Sequence, residues 1–186
     1  MIHEDHVSLL RVGIPGPGGI WADLGSGAGA FTLALADLLG PTATIYSVDR
    51  DRRALQSQEQ AMRARFPEVR AEYLCADFTR PLDLPPLDGV VMANALHFRR
   101  DKSAVLRLVH GYLRPGGRFI LVEYSTDSGN HWVPYPLSYA TWQALTASNS
   151  FAETQLLAER PSRFLGGMYS AMSTRPAEHD SASPQL

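Results

Sequence analysis

The chain has 186 residues and a formal net charge of −2, with acidic and basic residues mixed along its length. This length fits one folded domain, and the absence of a basic block in the sequence argues against a nucleic-acid partner. The single cysteine, Cys75, excludes an internal disulfide and a cysteine-rich metal site. With no bilayer-length apolar run and no signal-like amino terminus, we expect a cytoplasmic protein with no membrane partner, and a homodimer is left open.

The first segment, residues 1–19, is predicted to be a short helix over residues 3–12 followed by a Pro/Gly-rich loop. His3 and His6 lack the H-E-x-x-H spacing of a zinc site, so no metal is expected there.

A strand, a glycine turn and a helix follow. Residues 20–24 are an apolar strand, residues 31–39 a helix, and Gly25, Gly27 and Gly29 form the turn between them. Alternating glycines let a ligand approach the backbone, and the start of a helix presents free N–H groups. The pattern predicts a nucleotide-type binding loop.

The loop G-S-G-A-G-A satisfies the dinucleotide fingerprint G-x-G-x-x-[GA]. The same loop, preceded by an acid at the end of a strand, also fits a nucleoside cofactor that carries an ammonium group instead of a pyrophosphate. Asp23 lies two residues before the first glycine, where a carboxylate would repel a pyrophosphate but would suit a cofactor with an ammonium group. Alternatively, Asp23 hydrogen-bonds nearby backbone and only shapes the loop, and the two roles are compatible.

The second strand, residues 41–49, ends at Asp49, twenty residues after Gly29. A carboxylate there can accept hydrogen bonds from both hydroxyls of a ribose, which either type of nucleotide cofactor predicts. Asp51 is the expected N-cap of the next helix, which Pro67 ends.

A third strand, residues 71–76, precedes Asp77 and Phe78, and a fourth, residues 87–93, precedes Asn94. Asp77 can accept from an adenine amino group while Phe78 covers the ring; the alternative is a turn cap.

A helix opening at Asp101 is predicted to end in a glycine turn over residues 113–117, and residues 118–124 form a fifth strand. Alternation of strands and helices indicates a parallel sheet whose ligands bind beyond the carboxyl ends of the strands, where Asp23, Asp49, Asp77 and Asn94 all fall.

The chain closes with an irregular polar and aromatic segment, residues 125–136, and a helix over residues 137–147. Two late strands, residues 151–159 and 164–173, have so short a link that they must pair antiparallel. We expect one domain over residues 1–175 and a disordered tail over residues 176–186.

These pieces, in this order, resemble a class I S-adenosylmethionine (SAM) methyltransferase of the small-molecule type, close to the methyltransferase 11 and 25 groups. The motifs that carry the likeness are ADLGSGAG, YSVDRD, LCADF, DGVVMANALHF and LRPGGRFILVEY. The resemblance implies an α/β fold: a Rossmann-like, doubly wound, mainly parallel seven-stranded sheet with a C-terminal antiparallel hairpin. The stretch DGVVMANALHF, which corresponds to motif IV of the family, lacks the Pro-Pro-aromatic form of amino-methylating nucleic-acid enzymes, which counts against a nucleic-acid base as acceptor.

The resemblance implies SAM as cofactor, with S-adenosylhomocysteine as product, and a small-molecule methyl acceptor. The cofactor-binding residues that it implies are Asp23, Gly25, Ser26, Gly27, Gly29, Asp49, Arg50, Asp77, Phe78, Asn94 and Ala95.

His97 is the candidate general base, because imidazole exchanges protons near neutral pH and motif IV faces the transfer site. The alternative is that His97 caps or packs at a strand end. Tyr124, His131, Trp132 and Tyr135 are candidates for the acceptor pocket, against simple loop packing. Two alternatives to an enzyme stay open: a non-catalytic SAM-binding sensor or assembly subunit, and a compact NAD-binding protein.

Overall fold

The computed structural model describes residues 1–162 and 164–177. Within them the chain forms seven strands and five α-helices. The strands are β1 Gly19–Leu24, β2 Ala43–Asp49, β3 Arg70–Cys75, β4 Leu87–Ala93, β5 Leu113–Tyr124, β6 Thr154–Pro161 and β7 Gly167–Thr174. The helices are α1 His3–Leu10, α2 Ala30–Leu39, α3 Arg52–Arg65, α4 Ser103–Tyr112 and α5 Tyr139–Ala147.

All seven strands belong to one sheet in the order β3-β2-β1-β4-β5-β7-β6. The first five strands run parallel, and β7 pairs antiparallel with both β5 and β6. The predicted fold class, a mainly parallel seven-stranded sheet with a C-terminal antiparallel hairpin, is confirmed. Strand order reverses between β1 and β4, and in open α/β sheets a ligand crevice forms at such a switch point.

Two apolar layers cover the sheet. On one face, α1, α2 and α3 pack against side chains such as Trp21 and Ile45. On the other face, α4 and α5 pack against side chains such as Leu24 and Phe119, with Trp142 edge-on to Phe119 at 5.2 Å. Helices on both faces leave the carboxyl edge of the sheet as the open side, so the loops that follow the strands define the site.

One sequence-based prediction is wrong. Residues 113–117 contain a glycine turn, with Gly116 at φ +77°, but it does not cap α4; the helix ends at Tyr112, and Leu113 is already extended and paired with Leu87. The reason is tertiary pairing, because Gly116 N–H donates to the Arg175 carbonyl and Arg175 N–H donates back to that of Gly117.

Other boundaries move by a few residues. The first helix ends at Leu10 and continues as a 3-10 turn, while the two late strands begin about three residues later than predicted. Asp51 is confirmed as the N-cap of α3, accepting from the N–H groups of Arg53 and Ala54. Most of the expected disordered tail, residues 178–186, lies outside the described residues.

The described part of the chain contains no helix that is long and apolar enough to cross a membrane. Residues 1–162 and 164–177 also contain no cluster of three potential metal-ligating side chains.

Candidate active site

Three residues predicted to touch the cofactor converge at the switch point. Gly25, after β1, lies so close to Ala95, after β4, that a Cβ on the glycine would stand 2.5 Å from the alanine Cβ. The same Cβ would stand 3.2 Å from the ring of Phe78, which follows β3. Gly25 also has φ +80°, so glycine is required there for both conformation and space.

The glycine loop is tied to the end of β2. The N–H groups of Gly25 and Ser26 donate to the Val48 carbonyl, and Gly27 N–H donates to Asp49 Oδ2 at 2.8 Å. No atom of the described residues lies within 4 Å of a Cβ built on Gly27, so the space above the loop is open. The loop and Asp49 therefore form one hydrogen-bonded unit with open space at Gly27.

Asp49 has both carboxylate oxygens engaged by backbone, since Oδ1 accepts from Asp51 N–H at 2.8 Å. Each carboxylate oxygen has a second lone pair, so two further hydrogen bonds, as from a ribose, are stereochemically available. The ribose role of Asp49 stays a prediction.

Asp23 lies beneath the loop rather than on its surface. It is 1% exposed, and Thr32 Oγ1 of α2 donates to Asp23 Oδ2 at 2.6 Å. Burial raises the pKa of Asp23 to about 7, and the Thr32 hydrogen bond opposes this effect. This geometry favours the role that shapes the loop, in which Asp23 ties β1 to the first turn of α2.

Asp77 stands at the exposed end of β3. Its Oδ1 accepts from both the N–H and the hydroxyl of Thr79, which holds the pKa of Asp77 below its usual range. The turn-cap alternative is thus realised, and the adenine role remains a prediction for the same carboxylate. Arg50, exposed after β2, contributes its carbonyl to a contact with Cys75 Sγ at 3.6 Å.

Asn94 has a buried side-chain oxygen that lacks a hydrogen-bond partner among the described residues. Its backbone is left-handed, with φ +52°, and its Oδ1 is buried without a hydrogen-bond partner among the described residues. A buried unpaired acceptor costs free energy, so a ligand donor is the natural partner. With the open space at Gly27, this atom shows that the residues present fit a polar cofactor.

His97 forms a buried pair with a residue that sequence reasoning missed. Its Nδ1 lies 2.9 and 3.0 Å from the two carboxylate oxygens of Glu123, and the two residues are 3% and 0% exposed. In the tautomer that carries its proton on Nδ1, this atom donates to Glu123 and Nε2 is left as an acceptor. The only sequence signal for Glu123 is a lone acid near the end of an apolar strand.

Lys102, also missed, stands near this pair. It is 9% exposed, and its Nζ donates to the Arg99 carbonyl at 2.8 Å. Burial lowers the pKa of Lys102, while the charge of Glu123 acts in the opposite direction.

Two of the four predicted acceptor residues contact this centre. The Tyr124 ring is 6.1 Å from that of His97, and Tyr135 N–H donates to the His97 carbonyl at 3.0 Å. His131 and Trp132 pair with each other, with ring centroids 5.5 Å apart, and Trp132 is 73% exposed. The acceptor role of all four stays a prediction.

Two surface cavities lie away from this edge. One of about 220 Å³ lies between α3 and β3 beside Tyr73, and one of about 270 Å³ lies where β5 begins, beside Tyr112. Neither contains a predicted site residue, so the switch point and its polar groups locate the site better than cavity volume does.

The sheet order, the glycine loop and the polar groups at the strand ends define a class I SAM-dependent methyltransferase fold. The methyltransferase-domain family matches residues 17–161. The chain belongs to this family, and SAM is its cofactor.

Individual relatives agree with this assignment. The chain is 37% identical over 118 residues to acetylserotonin O-methyltransferase of Mus musculus, a match that covers 58% of this chain. It spans only 28% of that relative's length.

Solved structures show the same fold. A putative methyltransferase of Bacillus halodurans superposes with a TM-score of 0.76 at 12% identity, covering 94% of this chain and all of that one. The 1,6-didemethyltoxoflavin-N1-methyltransferase of Burkholderia thailandensis, solved with S-adenosylhomocysteine bound, gives 0.72 at 19% identity, covering 95% and 78%.

Proposed function

We propose that this chain transfers the methyl group of SAM to a small-molecule acceptor whose oxygen or nitrogen loses a proton during transfer. The observation that carries the proposal is the buried His97–Glu123 pair at the open edge of the sheet. The name of the mouse relative, acetylserotonin O-methyltransferase, supports an oxygen acceptor.

The residues divide the work of holding the cofactor. The glycine loop and the start of α2, which has no side-chain cap, would receive the methionine portion. Asp49 would accept from the ribose hydroxyls, and Asp77 with Phe78 would receive the adenine. Asn94 Oδ1, unpaired among the described residues, would accept a hydrogen bond beside the reacting centre.

When bound, SAM supplies an electrophilic methyl on a sulfonium. His97 Nε2 would take the proton from the acceptor atom as that atom forms its bond to the methyl carbon. The sulfur would keep the electron pair of its bond to the methyl carbon, so the by-product would be the thioether S-adenosylhomocysteine. Glu123 holds the imidazole by Nδ1 and stabilises the imidazolium that forms.

Tyr124 and Tyr135 would line the acceptor side, since both contact His97. The Tyr124 ring beside the imidazole, and the Tyr135 backbone held to the His97 carbonyl, would align the acceptor and keep water out.

The test measures S-adenosylhomocysteine formed from SAM with a low-molecular-mass cell extract and a panel of phenols and N-heterocycles. We expect turnover by the wild type and a loss of about 10²–10⁴-fold in His97→Gln, with S-adenosylhomocysteine binding retained. His110→Gln is the matched control, because His110 is a partly exposed residue of α4 whose ring packs edge-on to Phe151.

Two outcomes would contradict the proposal. Binding of S-adenosylhomocysteine without turnover of any acceptor favours the non-catalytic sensor or assembly subunit. Thermal stabilisation by NAD and not by S-adenosylhomocysteine favours the NAD-binding alternative.

A further inference from the structure

Gln58 is a buried polar side chain that no step above uses. It lies in the interior of α3, faces the underside of the glycine loop and is 0% exposed. Helix interiors rarely bury an amide without a purpose for its hydrogen bonds, because each unpaired polar atom is costly. The question is therefore what its donors and acceptor hold.

Gln58 closes a ring of hydrogen bonds with two serines. Its Nε2 lies 2.8 Å from Ser47 Oγ, Ser47 Oγ lies 2.7 Å from Ser26 Oγ, and Ser26 Oγ lies 3.3 Å from Gln58 Oε1. Gln58 Nε2 donates to Ser47 Oγ, and the Ser47 hydroxyl lies within reach of both Ser26 Oγ and, at 3.0 Å, Gln58 Oε1. When Ser47 donates to Ser26, Ser26 donates back to Gln58 Oε1 and the ring closes. Each hydroxyl then donates once and accepts once.

The same side chain also packs against the other end of the loop. A Cβ on Gly29, where α2 is capped, would overlap Cγ of Gln58. Gln58 therefore touches the loop at Ser26 by hydrogen bonds and at Gly29 by direct packing. An alanine at position 29 would push the two elements apart.

The ring of hydrogen bonds also includes a residue of β2, the strand that ends at Asp49, the candidate ribose-binding residue. Ser47 stands in β2 two residues before Asp49, and Asp49 Oδ2 in turn accepts from Gly27 N–H. Gln58 thus joins the loop, the end of β2 and α3 at one buried point. It sets the distance between the two parts of the site that the methionine and ribose portions of the cofactor would contact.

We propose that Gln58 is a positioning residue for cofactor binding, acting through Ser26 and Ser47 without touching the cofactor. The proposal rests on the cofactor site described above. Its consequence is that loss of the ring widens the range of loop conformations and weakens affinity even where the fold is intact.

The experiment is calorimetric titration of S-adenosylhomocysteine into wild type, Gln58→Met and Gln56→Met, at a temperature where all three are folded by circular dichroism. Methionine keeps the length of glutamine but removes the hydrogen bonds. Gln56 is exposed on the same helix, so it controls for the substitution itself. We expect Gln58→Met to weaken binding by about tenfold and Gln56→Met to leave it unchanged.

A double-mutant cycle separates positioning from simple packing. If the ring acts as a unit, Ser26→Ala and Gln58→Met together lose less affinity than the product of their separate losses. Wild-type affinity in Gln58→Met would overturn this inference while leaving the proposed function in place. Failure of the wild type to bind S-adenosylhomocysteine would instead overturn the proposed function.

Discussion

The buried carboxyl of Asp23 predicts an unusual pH dependence of stability. Burial raises its folded-state pKa to about 7, whereas an aspartate in the unfolded chain titrates near 3.9. Between these two values the folded protein binds the extra proton, so stability falls as the pH rises. The contribution of the protonated Asp23 carboxyl to the unfolding free energy is complete below about pH 4 and is lost above about pH 7.

The magnitude follows from the separation of the two pKa values. Each pH unit between them is worth about 1.4 kcal/mol, so the full loss is about 4 kcal/mol and the part between pH 5 and pH 8 is about 3 kcal/mol. Asp23→Asn keeps an acceptor for the Thr32 hydroxyl but cannot ionise. We therefore expect the variant to gain about 3 kcal/mol relative to wild type when the pH is raised from 5 to 8.

Urea unfolding of both proteins at pH 5 and pH 8, without cofactor, measures this difference. Comparison with the variant cancels the histidines and other groups that titrate in both proteins. If the difference in unfolding free energy between variant and wild type is the same at both pH values, Asp23 does not titrate in this range and the reasoning fails.

Two further changes test the packing. Gly89→Ala would drive a Cβ into the indole of Trp21 and should lower the unfolding free energy by about 1–3 kcal/mol. Gly111→Ala, in open space on α4, should instead raise the unfolding free energy by up to about 1 kcal/mol. Equal urea midpoints for the two variants would contradict this pair of predictions. Asp51→Ala removes the side-chain cap of α3 and should lower the unfolding free energy by about 1 kcal/mol. Coincident thermal melts of the variant and the wild type would contradict this prediction.

The parts of the site predicted from sequence are those governed by local pattern. Glycines at alternate positions and acids at strand ends follow from the needs of a parallel sheet and a turn. The parallel order then brings Gly25, Phe78 and Ala95 together without further information. The role of Asp51 as a helix cap could likewise be predicted from sequence, because it depends only on Asp51 and the residues directly after it.

What sequence could not give depends on pairing between distant segments. Glu123 reaches His97 only because β5 lies beside β4 in one register, and a slip of one residue would turn that carboxyl to the other face. Gln58 looks like any polar residue on a helix until α3 is placed beneath the loop. The stretch at 113–117 was misread because its partner, Arg175, lies about sixty residues away.

The C-terminal hairpin imposes an order on assembly. β7 is synthesised after the other six strands of the described sheet, yet it lies between β5 and β6 and is the neighbour of β5. Until residues 167–174 have been made, β5 has a free edge, although its residues 119–122 are entirely buried in the finished protein. A free apolar edge is a template for other chains. The partly synthesised chain is therefore open to self-association until β7 pairs with β5.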